Sequence, residues 1–163
     1  MIPDRIKPYF LLSNQKQDGE NTLVAGRLQC CEQHSFRVWT VGTVRRNLLH
    51  RLQLQPGPEG LAIAAACAKC GREILVFDAR SDGYDNCFSP KEETSLSAAE
   101  PLRCPKCGGE SFSVDLRFEY PGEQELADLG CEQPENAFAW VWASLTCAGC
   151  GRRFTDLISC ETA

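Results

Sequence analysis

Histidine, methionine and long apolar runs are what this sequence has least of. His34 and His50 are its two histidines, and Met1 is its one methionine, in 163 residues. Two histidines leave imidazole-based catalysis, and metal sites built mainly of imidazole, almost no material. No run approaches the roughly 18–20 apolar residues that cross a bilayer. Met1-Ile2-Pro3-Asp4-Arg5-Ile6-Lys7-Pro8 has no apolar core of signal-peptide length. The expectation is a cytoplasmic chain with no membrane segment. A Walker loop, a dinucleotide fingerprint and a Gly-x-Ser-x-Gly elbow are all missing. No residues assemble into a nucleophile–base pair, so no enzyme is expected.

Excess basic charge is missing too. The formal net charge is −5, with 11 Lys/Arg against 9 Asp/Glu in residues 1–88 and 6 against 13 in residues 89–163. Thiolate-bound metal would add further negative charge. This balance disfavours generic binding to a phosphate backbone, which needs a basic surface.

Cysteine is what the chain has in excess, with 11 residues. Three short words hold six of them: Cys67-Ala68-Lys69-Cys70-Gly71, Cys104-Pro105-Lys106-Cys107-Gly108 and Cys147-Ala148-Gly149-Cys150-Gly151. Each is a zinc knuckle. The two-residue gap lets both thiolates face one metal from a tight turn, and the Gly permits the conformation that aims amides at sulfur. The odd cysteine count and the tight pairs argue against a secreted disulfide scaffold.

The chain also matches itself. Cys67, Cys70, Gly71 and Arg72 correspond to Cys147, Cys150, Gly151 and Arg152 at an offset of 80. An apolar segment precedes and a strand-like segment follows each word. Leu28-Gln29-Cys30-Cys31-Glu32-Gln33-His34-Ser35-Phe36 corresponds to residues 102–112 if the first copy lacks two residues, and Cys31/Cys107 and Phe36/Phe112 then share an offset of 76. Two halves with one plan is the simplest account. The expected divisions are a loosely held segment 1–20, a first unit 21–88, a polar linker 89–101 and a second unit 102–163. Ser89 and Pro90 read as the start of a helical turn in the linker.

Ser111 to Tyr120 alternates apolar and polar residues, as a half-buried antiparallel strand does. Phe138, Trp140 and Trp142 fall on one face at period two. A short helix is expected around Glu123–Leu129, stopped by Gly130. The fold expected is mainly β, with two antiparallel three-stranded units arising from an internal duplication. This layout resembles the zinc ribbon, in which one zinc ion is clamped between two knuckles. The resemblance covers residues 22–80 and 102–160 and implies fold and metal rather than activity. The run Cys67 to Asp78, with Gly83-Tyr84-Asp85, is also similar to a group of bacterial proteins of unknown function.

Two structural zinc ions are expected. Cys104, Cys107, Cys147 and Cys150 close a tetrahedron and leave no open position for water. The first site needs two partners for Cys67 and Cys70. Cys30 with Cys31 is favoured because Phe36 then aligns with Phe112. Cys31 with His34 is the alternative, and a metal-free site is a third. Lys69, Arg72, Arg103, Lys106, Arg152 and Arg153 lie beside the knuckles and offer charge compensation. Cys87, Cys131 and Cys160 have no partner at ligand spacing and read as filler or surface thiols. Asp78, Asp82 and Asp85 around Gly83-Tyr84 read as turn chemistry rather than a cation loop.

A protein-binding or adaptor role fits the acidic second half with its Trp and Phe residues. The alternative is a nucleic-acid-binding module using Arg37, Trp39, Arg45, Arg46, His50 and Arg51, because basic residues beside an aromatic can hold single strands. Oligomeric state is left open.

Overall fold

The computed structural model describes residues 1–46, 48, 51–88 and 92–163. His50, Ser89 and Pro90, which figured above, lie outside them. The strands, all paired antiparallel, are β1 (Phe10–Asp18), β2 (Asn21–Leu28), β3 (Phe36–Val41), β4 (Thr43–Arg46), β5 (Leu52–Gln55), β6 (Ala62–Cys67), β7 (Glu73–Asp78), β8 (Glu100–Pro101), β9 (Ser111–Tyr120), β10 (Trp140–Cys147) and β11 (Arg153–Glu161). Among the described residues there is one α-helix, α1 (Glu123–Asp128), which precedes Gly130 at φ 69°. Among the described residues no helix is long and apolar enough to cross a membrane.

Nine strands join in one sheet, and β4 and β5 form a separate hairpin. β9 is its hub. One edge of β9 pairs with β10 over Phe112 to Glu119. The other edge is shared: β2 pairs with its later residues and β3 with Ser111 and Phe112. The alternation read in the sequence is the burial pattern of β9, whose Phe112, Val114, Leu116, Phe118 and Tyr120 are all buried. These five rows of apolar side chains anchor strands from both halves in one core.

Three expectations need correction. Residues 1–20, read as loosely held, carry β1, which pairs along its length with β2, and Ile6 is 1% exposed. Residues 92–101, read as part of a polar linker, are pinned to the sheet. Buried Asp78 accepts from both the backbone N–H and the hydroxyl of Thr94, each at 2.6 Å, and β8 pairs with β3. A buried carboxylate costs several kcal/mol unless hydrogen-bonded, so these bonds fix the segment to the end of β7. Phe138 does not share a face with the tryptophans. It precedes β10 and enters the core 5.0 Å from Phe118, while Trp140 and Trp142 stack 5.7 Å apart on the opposite face from buried Val141 and Ala143.

Candidate metal centres

The three Cys-x-x-Cys-Gly words fold alike. In each, the Gly N–H donates to the carbonyl of the first cysteine: Gly71 to Cys67 at 2.8 Å, Gly108 to Cys104 at 2.7 Å and Gly151 to Cys147 at 2.9 Å. The three glycines have φ of 74°, 74° and 75°, a left-handed conformation that favours glycine. Each first cysteine's N–H closes the loop onto a carbonyl beyond the word, at Arg72, Gly109 and Arg152.

The fold sets the second and third words together and the first word beside Cys30 and Cys31. Cys67 ends β6 opposite Phe36, and Cys147 ends β10 opposite Phe112. In the second centre Cys104, Cys107, Cys147 and Cys150 hold their sulfurs within 4.8 Å of one another. Cys104 lies 3.6 Å from Cys150, and Cys107 lies 3.5 Å from Cys147. In the first centre the same limit gathers Cys30, Cys31, Cys67 and Cys70. Cys30 lies 3.8 Å from Cys31 and 3.6 Å from Cys70. A disulfide needs about 2.05 Å. Four sulfurs bonded at about 2.3 Å around a tetrahedral ion stand about 3.8 Å apart. The spacing in both clusters fits one metal ion each.

His34 stands apart from the first cluster. Its Nδ1 is 3.0 Å from the Leu28 carbonyl. The Cys30-Cys31 segment is not a shortened knuckle. Cys30 and Gln33 exchange backbone hydrogen bonds at 3.0 Å, with Cys31 and Glu32 between them at φ 55° and 59°. That is a two-residue hairpin turn with both central residues left-handed, the signature of type I′. The turn aims two consecutive thiols at one point.

The thiols are electrostatically unequal. The Arg72 backbone N–H draws Cys70 down to about 7. Desolvation, reinforced by the Cys70 thiol, pushes Cys30 up to about 12. Burial raises Cys104, but the N–H groups of Cys107 and Lys106 outweigh it and hold the thiol at about 7. The Gly109 N–H lowers Cys107, but Cys147 and desolvation push it up to about 11. Each cluster thus holds one thiol drawn down, Cys70 and Cys104, and metal loading must drive protons off the raised thiols Cys30 and Cys107.

Four of the basic residues beside the knuckles are engaged. Arg103 pairs with Glu110 at 3.0 Å and Arg153 with Asp115 at 2.8 Å. Arg72 donates to the Tyr9 hydroxyl at 3.0 Å, and the matching Arg152 lies 5.3 Å over the Phe154 ring. The basic face read in the sequence is divided. Arg37 and Trp39 share a face of β3, with the guanidinium 5.7 Å over the indole, whereas Arg45 and Arg46 are on β4 and Arg51 just precedes β5. Arg37 also stands 3.8 Å from Glu110.

Cys87, Cys131 and Cys160 join neither cluster. Burial, with Cys131 beside it, pushes Cys87 up to about 12, and burial raises Cys160. Asp82 accepts from the Asp78 N–H at 2.8 Å and Asp78 from the Arg80 N–H at 3.0 Å, the hydrogen bonds of a turn. No protein-family model, curated protein or solved structure matches the chain.

Proposed function

We propose that this chain is a tandem zinc-ribbon protein holding two structural zinc ions and acting as a protein-binding module. The observation that carries the metal reading is the sulfur spacing of 3.5–3.8 Å in two separate four-cysteine sets. An all-thiolate tetrahedron favours zinc among divalent ions available to a reduced site. Four protein ligands leave no position for water or substrate, so the ions act on stability rather than chemistry.

Parallel local geometry supports a duplicated origin, with units at 21–88 and 102–163. Ala68 donates to Ser35 at 3.0 Å as Ala148 donates to Ser111 at 2.9 Å. The β6–β7 ladder slips after Ile63, and the β10–β11 ladder slips after Ala143, again 80 residues apart. The protein-binding reading draws on the stacked Trp140–Trp142 pair, half-buried on the outer face of the acidic half, with Arg117 4.8 Å over Trp142. Aromatic and Arg side chains grouped in this way are typical of interface anchors.

Elemental analysis of protein purified under reducing conditions tests the reading. Two zinc ions per chain are expected, falling to one in Cys147→Ser. A metal-free protein with the same circular dichroism spectrum would overturn it. Trp142→Ala should lose any protein captured from the native cell, and salt-sensitive retention on single-stranded nucleic acid instead would replace the protein partner.

A further inference from the structure

The two centres differ in how they are built. In the second, Cys104 and Cys147 are buried and Cys150 is half-buried, so one thiol, Cys107, is exposed. In the first, both Cys31 and Cys70 are exposed, and Cys67 alone is buried. The two exposed thiols come from different chain segments. They border one hollow of about 460 Å³, whose lining includes Tyr9, Leu11, Cys31, Glu32, Cys70 and Arg72.

Backbone conformation adds a second difference. The second centre's left-handed knuckle positions are the glycines Gly108 and Gly151. The first centre's turn puts Cys31 and Glu32, neither of them glycine, at φ 55° and 59°. Left-handed non-glycine residues are strained, and they persist only where their surroundings hold them. Cys31 is itself a ligand position, so a bond from its sulfur to a metal would help the paired Cys30–Gln33 backbone hydrogen bonds hold the turn, and its detachment would let two strained residues relax. Cys104, by contrast, receives the amide of Lys106, a residue with no counterpart between Cys30 and Cys31.

We infer that the first centre is a zinc-exchange site, opened through Cys31 and Cys70 to an incoming thiol, while the second keeps its ion. This rests on the two-zinc reading above. The occupant of the hollow is a small-molecule thiol. Its thiolate takes the position of the Cys31 thiolate, which leaves with its electron pair and takes up a proton from water. No atom changes oxidation state, and the reverse step reloads the site. The Arg72 guanidinium at the rim suits a thiol that also carries a carboxylate, such as glutathione.

The test uses the full zinc-loaded chain, with EDTA as acceptor and reduced glutathione as the entering thiol. Release should be biphasic, one ion per phase, with the fast phase at least tenfold faster. Glutathione should raise the fast rate alone. Quenching with N-ethylmaleimide after the fast phase should label Cys30, Cys31, Cys67 and Cys70 and spare the other four ligands. Glu32→Gly, which keeps every ligand and relieves one strained residue, also takes a carboxylate from the hollow and so eases the approach of an anion; it should nonetheless slow the fast phase several-fold and leave the slow phase unchanged. Release of two ions in a single phase overturns this inference and leaves the two-zinc reading standing. So does a fast phase mapped to Cys104, Cys107, Cys147 and Cys150, or one untouched by Glu32→Gly. A chain carrying fewer than two zinc ions overturns both.

Discussion

Phe36 and Phe112 are direct partners where β3 meets β9, and each is also the partner of a cluster cysteine on its other side. Cys67, Phe36, Phe112 and Cys147 therefore form one row across four adjacent strands. With strands about 4.8 Å apart, its two cysteines stand about 15 Å from each other. All four side chains are buried, and they lie on one face of the sheet. The two four-cysteine clusters are thus fastened to the ends of a shared hydrophobic row rather than to independent units.

That row predicts one cooperative unfolding transition for the whole chain. Phe112→Ala removes a side chain of 0% exposure that also meets Phe154 edge-on at 6.3 Å. A cost of about 3–5 kcal/mol is expected. Urea unfolding followed by circular dichroism should show it as a shifted midpoint in a single transition. Two resolved transitions, with the first half unmoved, would contradict the shared row.

Metal removal should have a larger effect. Structural zinc contributes on the order of 10 kcal/mol or more to small folds, against a typical net stability of about 5–15 kcal/mol. Excess EDTA in reducing buffer should therefore abolish the β-type circular dichroism spectrum, and zinc with fresh reductant should restore it. Because β9 serves both halves, the loss should extend to strands of the first half. A spectrum unchanged after verified metal removal would show that the apolar core suffices.

How much of this was legible beforehand depended on whether a residue's role leaves a local mark. The clean period of β9 did, because one face of it is buried. The second centre did, because Cys-x-x-Cys spacing alone encodes the turn that brings its thiols together. The β1 strand left no mark: nearly all of Phe10–Asp18 is exposed on both faces, so no alternation betrays it. The Cys30-Cys31 turn was readable as a ligand source only through the Phe36/Phe112 offset. A type I′ turn normally announces itself with Asn-Gly, and Cys31-Glu32 does not. The joining of the halves was invisible as well, since the pairing of Phe36 with Phe112 is a long-range register that no window of sequence contains.

Asp82 should make stability depend on pH in the opposite sense from an ordinary carboxylate. Its side chain is 18% exposed and 2.9 Å from Arg5. Burial nonetheless pushes its pKa up to about 6, against the pull of Arg5. The folded chain therefore binds the proton more tightly than the unfolded chain, whose Asp titrates at about 3.9. The favourable protonated state is fully present below pH 4 and is lost as pH rises through 6. Asp82→Asn mimics that state at every pH. Between pH 4 and pH 7 the variant should gain about 2 kcal/mol relative to the wild type. Comparing the two proteins at each pH cancels the shared effect of acid on the thiols. A constant difference between them would refute the assignment.

Two substitutions should have opposite signs because the knuckles and the hairpin turn reach the same backbone region with different residues. Gly108 has φ 74°, and a Cβ built there meets nothing within 4 Å. Gly108→Ala therefore adds backbone strain without a clash, and a cost of about 1–2 kcal/mol is expected. Glu32 has φ 59° and already bears that strain, so Glu32→Gly should return part of it, less the extra freedom glycine gives the unfolded chain. A net gain of about 0.5 kcal/mol is expected from these two terms. Urea midpoints of the zinc-loaded proteins would measure both. A loss of stability in Glu32→Gly would mean that the Glu32 side chain contributes more than its backbone costs, and the left-handed turn would no longer be a strained element of the first centre.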